Sequence, residues 1–218
     1  MRRLFPLVLL TLALAGCGSK TVRLSLTFDV TDAVQQTILL EESKRVIERR
    51  LSRFEDATPT PMIVESGQSG AVLLSFDVNN AEARTALIAE LLTPYSLKIM
   101  TVSTGTGDLF VEDHGWFTDM GISQKQIVSA EGAADEEGKG IVRLVFSDEG
   151  RAMLTQVFQN HLGGTMGLFV HDRLMAKMPI DAPRPKTEIV IADIPVPDMA
   201  GIFADDVNVG THVTFSLP

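Results

Sequence analysis

The chain has 218 residues, 45% of them hydrophobic, and 28 acidic against 19 basic side chains give it a net charge of −9. That length supplies one or two ordinary cores. The acidic surplus argues against the basic face that nucleic acid selects and against electrostatic adhesion to anionic head groups. A single cysteine leaves no disulfide within the chain, so stability has to come from buried apolar surface.

In chain order, Arg2 and Arg3 come first, followed by an apolar run of 11 residues from Leu4 to Leu14 and then Ala15, Gly16 and Cys17. A basic start, a short apolar stretch and small residues before a cut site describe a secretory signal peptide. The run is well short of the roughly 20 residues that a membrane-spanning helix needs. Leu14-Ala15-Gly16-Cys17 resembles a lipobox. That resemblance implies diacylglycerol on the Cys17 sulfur, cleavage after Gly16 and a fatty acyl group such as palmitate on the new amino end. Residues 1–16 thus read as a lipoprotein signal peptide and 17–20 as anchor and tether. The mature chain is expected to face the periplasm, lipid-anchored to the cell membrane or the outer membrane and not spanning it. Without residues 1–16 the balance is 17 basic to 28 acidic side chains.

Val22, Leu24, Leu26 and Phe28 alternate with polar residues, the period of a half-buried strand. Thr31 and Asp32 offer a helix start, and the helix is expected to run to about Phe54 with Leu40, Ile47, Leu51 and Phe54 on one face. Thr58-Pro59-Thr60-Pro61 breaks it. Strands are expected at 62–65 and 72–76 across a Gly- and Ser-rich turn. Asn79 with Glu82 reads as a capping box for a second amphipathic helix, which Pro94 ends. A strand over 96–102 follows. The order strand, helix, strand, strand, helix, strand is that of a ferredoxin-like α+β sandwich over residues 21–108.

The Gly- and Thr-rich segment 103–108 separates this part from a second α+β subdomain over 109–218. That part opens on a short polar region. It is expected to hold a strand at 126–130, a mobile acidic loop at 131–138, a strand at 141–146 and a helix started by Ser147. A hairpin over 166–178 turns at His171-Asp172-Arg173, and a strand covers 188–191. A short helix covers 196–204, and a last strand 213–217.

Chemistry-bearing patterns are few. The histidines at 114, 161, 171 and 212 lack the spacing that puts two ligands on one helix face, so neither a metal nor a cofactor is expected. Gly67-Gln68-Ser69-Gly70 is not a nucleophile elbow, and Gly105-Thr106-Gly107 lacks a third glycine and a following helix. Paired acids such as Asp205-Asp206 carry no geometric information by themselves. No catalytic residue is assigned, and the chain is read as non-enzymatic.

The second half carries Trp116, Gly121, Ile122 and Ala130, then Val142 through Phe146 with Ser147-Asp148-Glu149-Gly150. Asn160, Gly164, Leu168 through Asp172, Pro179, Ile191, Phe203 and Gly210 follow. This succession resembles the head subdomain of the large periplasmic domain of SecD, the membrane partner of SecF in bacterial protein export. Val46 through Phe54 resembles a helix of that family's ferredoxin-like base subdomain. Arg173 departs from the family's glycine after Asp172. The family's six-helix membrane region, which carries the proton-coupled motion, has no counterpart here. The resemblance implies a polypeptide partner: an unfolded or translocating client, or export machinery on which the domain docks. Leu174, Met175 and Met178 on the hairpin are the candidate contact residues, with Phe169 beside them in a core role. The alternative is a structural or interaction lipoprotein of the envelope that handles no client.

Overall fold

A computed structural model describes residues 20–67, 70–181 and 188–218. The expected signal peptide and Cys17 lie outside the described residues. Strand β1 (Thr21–Phe28) leads into helix α1 (Ala33–Leu51), whose first turn is capped by the Asp32 carboxylate accepting from the Gln35 N–H. β2 (Ile63–Ser66) and β3 (Val72–Asp77) form a hairpin, and α2 (Ala81–Leu92) follows. The cap of α2 is Asn80, which accepts from the Ala83 N–H, so the cap lies one residue past the expected Asn79 and Glu82 closes no box with it.

β1, β2 and β3 belong to a four-stranded antiparallel sheet in the order β12-β1-β3-β2, where β12 is Val213–Ser216. The strand expected to complete this sheet, 96–102, exists as β4 (Leu97–Ser103) but pairs elsewhere. The last strand of the chain takes its place, with Phe28 opposite Val213 and Ser25 opposite Ser216. The reason is burial. β4 puts Leu97 and Ile99 into one core and Met100 into another, on its opposite face, so both of its faces need cover. The four strands with α1 and α2 are compatible with a ferredoxin-like sandwich. Its core unites Val22, Leu24 and Leu26 with Val46, Ile47 and Leu51 of α1 and Leu87 and Leu91 of α2.

Between α2 and β12 lies the second α+β part. β5 (Leu109–Val111) and β6 (Gly115–Ser123) occupy the expected polar region. A 3-10 turn (Gln124–Gln126) leads to β7 (Ile127–Ala134), and β8 (Gly140–Phe146) precedes α3 (Asp148–Asn160), capped by Ser147. β9 (Thr165–Val170) and β10 (Arg173–Pro179) form the expected hairpin, with His171 and Asp172 both at positive φ as a two-residue turn demands. β11 (Glu188–Ile194) and α4 (Pro197–His212) complete the part. One sheet runs β10-β9-β4-β6-β5 and a second runs β11-β8-β7. Between them Ile99, Ile122, Leu144, Phe146, Leu154, Phe158 and Leu168 form the larger core.

Two expectations fail here for one reason. The stretch 131–138 is not a loop until Asp135, because β7 continues through Ala134. Helix α4 does not stop at 204 but runs on to His212. Its backbone lies against β7: a Cβ placed on Gly132 would come within 2.4 Å of the Ala200 carbonyl oxygen. Gly132, which reads as loop, is small because the helix backbone lies against it.

Candidate polypeptide-binding surface

The face of the five-stranded sheet turned away from the larger core carries an apolar layer of its own. Met100, Phe117 and Phe169 are fully buried there, ringed by the partly buried Val102, Leu109, Val111 and Leu174. All seven side chains come from strands of the same sheet. Phe117 and Phe169 meet edge to face at 4.9 Å, a favoured aromatic geometry. Gly167 makes room for them. A Cβ there would approach the Phe169 ring to 2.8 Å, a Leu174 methyl to 2.9 Å and the Phe117 ring to 3.0 Å.

The three hairpin residues singled out from the sequence point in three directions. Leu174 sits opposite Phe169 and packs on the outer layer. The register then slips between Leu174 and Ala176, so Met175 is the extra residue of a β-bulge and is 50% exposed. Past the bulge, Met178 sits opposite Met166 and packs, half-buried, against the larger core. Leu174 thus faces the outer layer, Met178 faces the larger core, and Met175 stands exposed at the bulge between them. Phe169 is buried, the core role expected for it. Strand β10 is an edge strand, with one row of backbone groups unpaired by any described strand.

A second apolar feature was not singled out in sequence. Phe110 on β5 and Trp116 on β6 are direct cross-strand neighbours, 5.2 Å between ring centroids, and both stay exposed. The signal available was the pair of aromatics flanking Asp113 and Gly115, the two positive-φ residues of the connecting turn.

The paired acids Asp205 and Asp206 have a defined structural place. Arg45 grips Asp205 with two hydrogen bonds of 2.9 and 2.7 Å, and Arg49 reaches Asp205 at 2.8 Å and Asp206 at 3.1 Å. This bidentate geometry locks α1 to α4. Burial works to raise the Asp205 pKa, but the two guanidiniums outweigh it and hold the carboxyl below its ordinary value. Next to it Glu42 is raised, chiefly by burial, with Asn208 pulling the other way. Asn208 also binds both backbone groups of Ala130, closing part of the free edge of β7. Among the described residues no group of three or more His, Cys, Asp or Glu is placed to hold a metal ion. No helix among them is long and apolar enough to cross a membrane.

The fold is SecD-like and is similar to solved SecDF structures. SecDF, a membrane component that enhances protein export, matches 90% of this chain and 99% of its own, with 15% identity and a TM-score of 0.51. SecDF in a super-membrane-facing form matches 89% of this chain and 29% of its own, with 16% identity and a TM-score of 0.51. SecDF from Thermus thermophilus, a translocon-associated membrane protein, matches 91% of this chain and 30% of its own, with 15% identity and a TM-score of 0.50. The chain thus spans less than a third of the latter two. At such identity the likeness defines the fold class: an α+β architecture of the SecDF periplasmic type. No protein-family model matches the chain, and no characterised protein matches it in sequence.

Proposed function

We propose that this chain is a non-enzymatic, lipid-anchored periplasmic module that takes extended polypeptide along strand β10 and serves protein export or its machinery. The observation that carries the reading is the combination on one hairpin. An unpaired strand edge lies beside a bulged, exposed Met175, and Leu174 sits at the margin of the outer apolar layer. An added strand gains backbone hydrogen bonds along such an edge, and a flexible thioether accommodates varied side chains. The SecDF-like fold supports the export context.

The test is binding of an unfolded, reduced client followed by fluorescence anisotropy. Met175→Asp should weaken binding about tenfold while leaving the melting temperature unchanged, because the residue is exposed at a bulge. Met178→Asp should lower the melting temperature by placing a charge at the core margin. Client affinity unchanged in Met175→Asp would overturn the reading. The exposed Phe110 and Trp116 pair favours the second reading, a folded partner that uses aromatic anchors. A stoichiometric partner lost on Trp116→Ala, with client binding absent, would select it. The anchor is tested separately. Cys17→Ser should move the protein from the membrane fraction to the soluble one, and a variant still in membranes after a high-salt wash would exclude Cys17 as the anchor.

A further inference from the structure

Where the two cores meet, two adjoining cavities of about 510 and 540 Å³ share Arg50, Glu90, Thr93 and His171 in their walls. Each volume falls in the range of small-molecule sites. The charges facing them are unevenly matched. Every acid on the walls already has a basic partner: Asp29 meets the His212 imidazole at 2.8 Å, Glu90 binds Arg53 at 2.6 Å and Asp206 binds Arg49 at 3.1 Å. The cations are not used up. The Arg50 guanidinium makes no hydrogen bond among the described residues, only a 3.8 Å ion pair to Glu90. Lys125 in one cavity and Arg173 in the other have no acidic partner among them. Burial lowers the Arg50 pKa yet leaves the guanidinium a cation, with no acceptor within hydrogen-bond distance among the described residues.

The neutral groups of the first cavity have the same deficit. The buried hydroxyls of Tyr95 and Thr211 have no hydrogen-bond partner among the described residues. Tyr95 is held firmly in this state. Its ring lies so close to α4 that a Cβ on Gly210 would come within 2.3 Å of it, and it meets His171 edge to face at 5.5 Å. Gln124 fixes the loop by donating to the Tyr95 carbonyl and accepting from the Leu97 N–H. Burial pushes the phenol pKa up, so the hydroxyl remains a donor. Unpaired buried donors cost stability, and such cost concentrates where a ligand relieves it.

We propose that these joined cavities bind a small oxyanion, a phosphate or polycarboxylate solute, whose acceptor oxygens engage Arg50, Tyr95 and Thr211 within and Arg173 at the hairpin. The unpaired cations there set the charge of the complement, and the two hydroxyls can turn their O–H toward it, so an acceptor-rich anion fits. Local excess positive charge in a chain of net charge −9 concentrates such an ion. A lipid phosphate offers the same chemistry. Asp29 on the wall of the first cavity, however, lies past the far end of β1 from Thr21, ~26 Å away for eight residue steps of strand. That placement, with the tether proposed at Cys17, favours a dissolved ligand.

The test titrates the full chain in detergent micelles with inorganic phosphate and, separately, with citrate, at constant ionic strength maintained by sodium chloride. Calorimetry reads the binding and a thermal melt the stability. At least one anion should bind saturably and raise the melting temperature. Arg173→Ala, on the exposed hairpin, should weaken that binding about tenfold with the fold intact, as should Arg50→Gln. Tyr95→Phe separates ligand contact from packing: it should leave the ligand-free melting temperature equal or higher while weakening the anion several-fold. Absence of saturable binding for both anions, or equal affinity in all three variants, would overturn the site. Capture by phosphatidylglycerol vesicles that depends on Arg50 and Arg173, with no binding of either dissolved anion, would overturn the assignment to a solute.

Discussion

Gly132 offers the sharpest test of how the second part is assembled. Its backbone is not at positive φ, so alanine is allowed there and the effect of Gly132→Ala is purely steric. The new Cβ would lie 2.4 Å from the Ala200 oxygen, 2.5 Å from its carbonyl carbon and 2.6 Å from the Gly201 nitrogen. All three are backbone atoms of α4 and cannot swing aside. Ordinary contact needs about 3.5 Å, so the helix must retreat by about 1 Å. Retreat unpacks Ala200 and Ala204 and stretches the Asn208 bonds to Ala130, now 2.7 and 3.0 Å, past useful length. Overpacking of this kind costs about 1–3 kcal/mol, and each lost hydrogen bond adds about 1 kcal/mol. About 3–5 kcal/mol is the expected total, a fall in melting temperature of roughly 6–20 °C for a chain of this size. Gly105→Ala is the control, since a Cβ there meets nothing within 4 Å. Calorimetry or urea unfolding reads both. If Gly132→Ala and Gly105→Ala have equal stability, α4 does not rest on β7 as described.

Three further outcomes are expected. Because the Asp205 pKa is held below its ordinary value, its contribution is present above the unfolded pKa near 4 and is lost as pH falls through the folded value. Asp205→Asn should therefore cost about 1–2 kcal/mol at pH 7, discounted because Arg45 is half exposed, and the cost should shrink on acidification. Glu42 has the opposite sign. Its pKa is raised, stability is lost as pH rises through it, and one of its carboxylate oxygens is buried without a partner, so Glu42→Gln should gain about 1 kcal/mol at pH 7 and nothing at pH 3. A fragment of residues 20–108 should not fold by itself, since it lacks β12 and exposes Leu97, Ile99 and Met100 of an unpaired β4. A cooperative melt of that fragment would show that the cut at 103–108 separates folding units.

Local patterns were legible wherever one face of an element is buried and its ends are punctuated. The alternation in β1, the capped starts at Asp32 and Ser147 and the hairpin turned by His171 and Asp172 all read correctly, because each follows from residues within a few positions. What failed was non-local. Nothing within 96–102 says that its partners are β6 and β9, tens of residues away. β6 went unread because Gly121, at positive φ, and a register slip against β4 interrupt its alternation. The hairpin was read as a hairpin, yet the bulge at Met175 decides which of Leu174, Met175 and Met178 share a face, and the spacing of the residues does not reveal it. The unpaired donors at Arg50, Tyr95 and Thr211 come from three separate segments and left no sequence signal.

Helix α4 explains most of what the sequence concealed. Val207 packs into the larger core and Val209, two residues on, into the core of the four-stranded sheet. Two residues turn a helix by about 200°, so these side chains point in nearly opposite directions. A helix buried on opposite faces shows no apolar stripe, and Gly210 with β-branched neighbours argues against helix on propensity. Tertiary contacts override that propensity: Arg45 and Arg49 bind Asp205, Asn208 bridges Glu42 and Ala130, and the Tyr95 ring fills the place of a side chain at Gly210. The same helix therefore joins the two cores and, through Gly210 and Thr211, forms a wall of the cavity between them. Arg50 of α1, Thr211 of α4 and His171 of the β9–β10 turn all line that joint, so the anion proposed there would tie the position of the hairpin to the occupancy of the cavity.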